Sequence, residues 1–167
     1  MYKQMSLLIS LLGMTAVSAS VFAAKVDNKQ HYKLDVNLPA SWKVASNEKY
    51  SGGYVKVFVP KAAGARLNEQ NVVMNYTRNA NISLSASMHE VLKVVATADC
   101  STRDVRLINQ SKNSINFVAS LDRCKNGKSL TQVFKIFNTP NGQYAILYTA
   151  NPNIVSPGVI SNMKKLV

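Results

Sequence analysis

The sequence has few of the residues from which metal sites and catalytic centres are usually built. It contains only two cysteines and two histidines in 167 residues, whereas a structural zinc site normally takes four Cys or His ligands at short local spacings. His31 and His89 belong to no recognisable catalytic pattern. A Gly-rich phosphate loop, a G-x-S-x-G nucleophile turn, an H-E-x-x-H zinc motif and an EF-hand loop are all missing. These absences predict a protein with no metal, no cofactor and no enzymatic activity.

Acidic residues are also scarce. Eight Asp and Glu stand against 20 Lys and Arg, which gives a formal net charge of +12. Such an excess favours anionic partners through long-range attraction. Glycosidase chemistry requires two facing carboxylates, and any two of the acids could meet in the folded chain. A hydrolase assembled from scattered carboxylates or serines is therefore the alternative to a non-catalytic binding protein.

Long hydrophobic runs are limited to the N-terminus. Lys3 is followed by an apolar segment from Met5 to Val17, and Val21 and Ala23 occupy the −3 and −1 positions of a cleavage site. This arrangement is typical of a secretory signal peptide. We therefore predict a signal peptide at 1–23 and one exported domain at 24–167. The mature domain is predicted to lie in the periplasm or outside the cell, with no transmembrane segment.

Export determines how the two cysteines are interpreted. In an oxidising compartment, two cysteines in a mature chain usually form a disulfide. A reactive thiol would be accompanied by a histidine and a lowered pKa, and a metal site by further ligands close in sequence. A disulfide between Cys100 and Cys124 is the favoured prediction over these two alternatives.

A Cys100–Cys124 bond would gather cations from two segments of the chain. We define these as the candidate anion-binding patch: Arg103, Arg106, Arg123, Lys125 and Lys128. Asp99, Asp104 and Asp122 lie among them and would offset part of the field. The candidate partners are anionic lipid headgroups, an acidic glycan or an acidic protein, and the alternative is a solvated basic face. Nucleic acid is disfavoured because the cations do not alternate with exposed aromatic residues; the tyrosines mostly fall on apolar strand faces and are predicted to be core.

Alternating apolar residues predict the strands. Three are expected before the helix, at 32–38, 54–60 and 72–77, and four after it, at 105–110, 114–122, 129–138 and 142–150. Asn141-Gly142 predicts a type I′ hairpin turn, in which both central residues have positive φ. Asn126-Gly127 predicts a tight turn beside Cys124 on the same grounds.

Two segments have helical periodicity instead. In "SMHEVLKVVA" the apolar residues recur at helical spacing, and Ser87 with Glu90 fits a capping box at the helix start. Ser156 and Pro157 are typical of the start of a C-terminal helix. The predicted fold class is α+β: an antiparallel sheet of about six to seven strands flanked by helices.

The stretches "LDVNLPASWKV" and "GGYVKVFVP" resemble the start of PsbP-like domains. Those domains often begin with a strand, a Pro-x-x-Trp turn, here Pro39 to Trp42, and a second strand that ends near a proline. The resemblance implies a sandwich with a central antiparallel sheet between helices. It also implies an accessory or binding role, because members of the family mostly are not enzymes. No residue of this chain matches a binding site of the family.

Overall fold

The computed structural model of the chain describes residues 38–62, 70–80, 82–125 and 127–154. The predicted signal peptide, His31, the first predicted strand up to Asn37 and the predicted C-terminal helix lie outside these residues. Within them, the elements in chain order are β1 Trp42–Tyr50, β2 Gly53–Pro60, β3 Gln70–Arg78, helix α1 Leu84–Thr97, β4 Cys100–Gln110, β5 Ser114–Cys124, β6 Leu130–Thr139, β7 Gly142–Ala150 and a 3-10 turn Pro152–Ile154.

All seven strands form one antiparallel sheet in the order β1-β2-β3-β7-β6-β5-β4. The last strand, β7, lies between β3 and β6 and joins the two halves of the sheet. Among the described residues, β1 and β4 are the two edges. The chain before α1 therefore forms one part of the sheet, β1 to β3, and the chain after α1 forms the other, β4 to β7.

The prediction of an α+β sheet flanked by helices is wrong. The described chain has seven strands and one helix, and this helix packs against the face of the sheet that carries Phe117 and Phe134. The fold is β-rich because the strands are long and the central ones bury residues of both faces, as in β3 and β7. Six of the seven predicted strands are present, and they pair antiparallel as predicted. The predicted first strand lies outside the described residues, and the described chain does not form the predicted sandwich with helices on both sides of the sheet.

Strand β1 was not predicted. The Pro-x-x-Trp segment is a turn, in which the Trp42 N–H donates to the Pro39 carbonyl at 2.9 Å, but the chain then continues as a strand. A register shift between Val44 and Ser46 breaks the pairing of β1 with β2. Most β1 side chains are exposed, so no apolar face marks this strand in the sequence.

Helix α1 begins one turn earlier than the capping box indicated. Ser83 is the N-cap, and its hydroxyl accepts a hydrogen bond of 3.1 Å from the Ala86 N–H. Leu84 and Ser87 are buried, so Ser87 lies in the first turn and faces the sheet. The prediction that Ser87 caps the helix is wrong. Ser83 is the cap, and its hydroxyl accepts from one of the backbone N–H groups that have no partner within the first turn of the helix.

The face of the sheet opposite α1 is rich in aromatic rings. Tyr76 lies between Tyr54 and Tyr144, with ring centroids 5.4 and 4.7 Å apart, and Phe137 stacks on Tyr144 at 5.1 Å. These four rings are at most 9% exposed. The tyrosines on this face belong to the core, as predicted. Each aromatic pair of this kind stabilises the fold by about 0.5–1.5 kcal/mol more than the burial of its area alone.

The hairpin between β6 and β7 forms, but its turn is centred one residue earlier than predicted. Thr139 pairs with Gly142, so Pro140 and Asn141 are the central residues. Proline has φ fixed near −65°, so the predicted type I′ turn is wrong. Gly142 is needed for another reason: its φ is +153°, and a Cβ there would collide with the carbonyl oxygen of Thr77.

Candidate functional site

The disulfide predicted from the sequence is formed. Cys100 is the first residue of β4 and Cys124 the last of β5, and the two residues are paired across the antiparallel ladder. No free cysteine is present in the described chain. The bond closes the open end of the β4–β5 hairpin, and it holds the segments on either side of it together.

Four of the five predicted cations lie near this bond. Arg123 and Lys125 flank Cys124, and Arg103 is opposite Leu121 on the neighbouring strand. The Cys124 N–H donates to the Lys128 carbonyl at 3.0 Å, which brings Lys128 back beside the cysteine. Gly127, with a φ of +72°, supplies the left-handed backbone of this turn. We call these four residues the disulfide cation cluster: Arg103, Arg123, Lys125 and Lys128.

Arg106 is not part of that cluster. It pairs with Val118, six residues before Cys124, which at the rise of a β-strand is a separation of about 20 Å. Arg103 and Arg106 differ by an odd number of positions, so their side chains point to opposite faces of the sheet. The structure therefore gathers four of the predicted cations and leaves the fifth on another surface.

Two aspartates reduce the charge of the cluster. Lys125 Nζ lies 3.3 Å from Asp99 Oδ2, and Arg123 Nε lies 3.6 Å from Asp122 Oδ2. All four side chains are more than half exposed, and exposed pairs of this kind contribute about 0–1 kcal/mol. The Ser129 hydroxyl donates to Asp122, and this bond lowers the pKa of the Asp122 carboxyl. The cluster remains net positive at neutral pH.

Arg103 also has a structural contact. Its Nε donates a hydrogen bond of 2.7 Å to the carbonyl of Ala98, the residue that caps the C-terminus of α1. A cation at a helix C-terminus is favourable because the last carbonyls are unpaired and carry partial negative charge. Arg103 therefore uses one of its donors on the backbone of the protein, whereas the ion pairs of Arg123 and Lys125 are with exposed carboxylates.

Comparison with known proteins gave no relatives: no family model, no curated protein and no solved structure matches the chain. The resemblance to PsbP-like domains stays a prediction.

A cavity of about 40 Å³ lies between α1 and the sheet. Its apolar side includes Val91, Val94 and Phe134, and its polar side includes Ser87 and Gln143. The described lining carries amide and hydroxyl groups and no charged side chain. A volume of this size accommodates about one to three waters. The cavity was missed in the sequence; inward-facing polar residues such as Gln143 in otherwise apolar strands were the available signal.

A hydrogen-bonded tyrosine contacts Asn75, one of the polar residues that line the cavity. The Tyr50 hydroxyl lies 2.8 Å from Asn75 Oδ1 and 2.9 Å from the Tyr76 carbonyl oxygen. Burial raises the pKa of this hydroxyl above its usual value of 10.0. Tyr50 stays a neutral donor at physiological pH, and it connects edge strand β1 to β3.

The remaining candidate groups are dispersed. His89 is exposed on α1. Over the described ranges, no three His, Cys, Asp or Glu side chains are grouped so as to hold a metal ion. In the same residues no helix has the length and hydropathy to cross a membrane.

Proposed function

We propose that the protein is an exported, non-catalytic binding protein that uses the disulfide cation cluster to engage an anionic surface. One observation carries the proposal: the Cys100–Cys124 bond fixes four cations around one end of the β4–β5 hairpin. The N-terminal signal pattern and the disulfide both fit delivery to an oxidising compartment, either the periplasm or the exterior.

The cluster suits a surface better than a small anion. Arg123 and Lys125 have side chains that are 76% and 84% exposed, and neither residue lines the cavity under α1. Their exposed aspartate partners bind them weakly, so a dense array of negative charges can replace those carboxylates. Anionic lipid headgroups present such an array, and each Lys or Arg near such a membrane contributes about 1 kcal/mol of attraction.

The test is co-sedimentation of the oxidised protein with vesicles. The protein is purified in the form that the expression host exports, with the disulfide formed. It is then mixed with neutral vesicles or with vesicles rich in an anionic lipid. We expect binding to the anionic vesicles alone, and we expect it to fall steeply as salt shortens the Debye length to below about 10 Å. Equal binding to both vesicle types, or binding that salt leaves unchanged, would contradict the proposal.

The decisive variant replaces Arg123, Lys125 and Lys128 by Glu. Loss of three attractive cations predicts weakening of about 100-fold or more. The matched control places the same charge change on exposed Lys43 and Lys49 of β1 and on exposed Lys61. Lys61 directly follows β2, and its N–H donates to the carbonyl of Ser41, beside the start of β1. The two edges of a seven-stranded sheet are about 29 Å apart, so the control should retain most of the binding. Equal loss in both variants would assign the effect to net charge and not to the cluster.

Acidic glycans and acidic proteins are separated from lipid by competition. If a soluble acidic polysaccharide displaces the protein from vesicles at low ionic strength, the cluster recognises negative charge density and not a bilayer. If vesicles fail to bind while the polysaccharide does, the partner class is a glycan. If the protein binds neither vesicles nor polysaccharide, the cluster is a solvated basic face without a binding role.

A further inference from the structure

Within the described sheet, strand β4 is an edge strand. It has a neighbour, β5, on one side only within the described sheet. Its side chains from Ser101 to Gln110 are exposed with the exception of Val105, which is half-buried, and Leu107 and Ile108 are 49% and 37% exposed. A long exposed edge with apolar side chains is a template for pairing with another chain. We propose that β4 pairs antiparallel with β4 of a second copy of this protein, with Val105 on the twofold axis.

The charges of β4 select this register. Antiparallel self-pairing across a twofold axis places residues on the same face opposite each other. With Val105 on the axis, Asp104 of each copy lies opposite Arg106 of the other, so two oppositely charged pairs form. Centring the pairing on Arg103, Asp104 or Arg106 would instead place two identical charges on the axis, which is destabilising.

The groups required for these pairs are available. The side chains of Asp104 and Arg106 form no hydrogen bond or ion pair within the described chain, and both are exposed. On the opposite face, Leu107 would lie across from Arg103 of the second copy, whose aliphatic stem can cover it. The pairing therefore satisfies charges and covers an exposed leucine together.

The irregularities of the sheet agree with this choice of edge. In β4 the register shift lies between Leu107 and Asn109, so the segment from Arg103 to Leu107 is regular and is the length that pairing about Val105 requires. In β1 the shift lies between Val44 and Ser46, near the middle of the strand. Bulges and lysines at an edge hinder further pairing, and Lys43 and Lys49 stand at the two ends of β1.

The interface would be small, so the dimer is expected at high protein concentration. Five paired residues on each copy bury less than the roughly 1,200 Å² of a standard stable interface. Sedimentation velocity of the full protein, as exported, should therefore be measured from low micromolar to millimolar concentration. A monomer at every concentration would overturn the proposal.

Charge substitutions test the register. Asp104→Arg and Arg106→Asp each convert two attractive cross-strand pairs into two repulsive ones, and we expect the dimerisation constant of each variant to fall about tenfold or more. The double variant Asp104→Arg/Arg106→Asp restores opposite charges and should recover dimerisation. An equimolar mixture of the two single variants should also dimerise, because the two positive side chains that one variant carries at these positions then face the two negative side chains of the other.

Each outcome bears on the pairing. Single variants that dimerise like the wild type would assign the dimer to another surface and overturn the proposal. A double variant or a mixture that stays monomeric would overturn the register about Val105. Circular dichroism and thermal unfolding of each variant confirm that the exposed substitutions leave the fold intact.

Discussion

The hydroxyl of Ser87 donates a hydrogen bond of 2.8 Å to Oε1 of Gln143 and so joins helix α1 to strand β7, 56 residues along the chain. Nε2 of Gln143 donates to the Ile82 carbonyl at 3.2 Å and to Asn138 Oδ1 at 2.9 Å. A buried amide is thereby paired at both ends. This contact joins the first turn of α1 to β7 at the cavity, because Ser87 and Gln143 both line it.

Ser87→Ala should destabilise the protein. The substitution leaves Gln143 Oε1 buried without its donor, and such a loss typically lowers the free energy of unfolding by about 1–3 kcal/mol. Urea unfolding followed by circular dichroism measures it. The control is Ser85→Ala, at an exposed position of the same helix, where we expect little change. Equal effects of the two substitutions would show that helix propensity, and not the contact with Gln143, is responsible.

Gln132→Met should stabilise the protein. Gln132 is 0% exposed, and its amide nitrogen and oxygen have no hydrogen-bond partner among the residues that the structure describes. Replacing a buried, unpaired amide by an apolar side chain of similar shape removes a desolvation cost of about 1–3 kcal/mol. The same substitution at Gln143, whose amide is paired, should lower stability. If both substitutions change the free energy of unfolding in the same direction, the pairing of the amide is not the cause.

Removal of the disulfide should cost stability without changing the sheet order. Cys100 and Cys124 are 24 positions apart, and the chain-entropy treatment of such a loop gives about 3–4 kcal/mol. The variant Cys100→Ser/Cys124→Ser should unfold at correspondingly lower urea concentration. Reduction of the wild type with dithiothreitol should reproduce the loss, whereas the reductant should leave the double variant unchanged; any other response would mean that the substitutions act through packing.

Lys135 should make stability depend on pH. It is 1% exposed, and burial lowers the pKa of its ammonium group below 10.5. The unfolded chain therefore binds more protons than the folded chain between the lowered pKa and 10.5, so this lysine makes the free energy of unfolding rise with pH across that window. The cost of burying the charged form is fully present below the folded pKa.

Lys135→Met removes that dependence. The stability difference between the variant and the wild type should shrink as pH rises toward 10.5, because the wild type loses its burial cost there. Guanidinium unfolding at several pH values measures the difference, and Lys43→Met at an exposed position controls for the loss of one positive charge. Parallel curves for Lys135→Met and the wild type would contradict the prediction.

The sequence predicted most elements between residues 54 and 150, because their apolar residues recur with the period of a strand or of a helix. It missed β1, whose exposed side chains and register shift leave no apolar stripe. It placed the β6–β7 turn one residue late, because Asn141-Gly142 is a strong local signal, whereas the pairing of Thr139 with Gly142 is set by the whole ladder. Of the five cations in the predicted patch, four lie in the disulfide cation cluster. Arg106 was wrongly grouped with them, because distance along the sequence does not show which face of a strand a side chain occupies or how far along the strand it lies.

Cysteine content and the N-terminal signal pattern by themselves predicted that Cys100 and Cys124 pair, because two cysteines in an oxidising compartment usually form a disulfide. Alternation of apolar residues likewise predicted the strands, and the short turns between the later strands predicted that they pair antiparallel. Only the tertiary structure decided that β7 enters between β3 and β6, that β4 becomes an exposed edge, and that Ser87 meets Gln143. These features depend on contacts between residues far apart in the chain, which local periodicity does not encode.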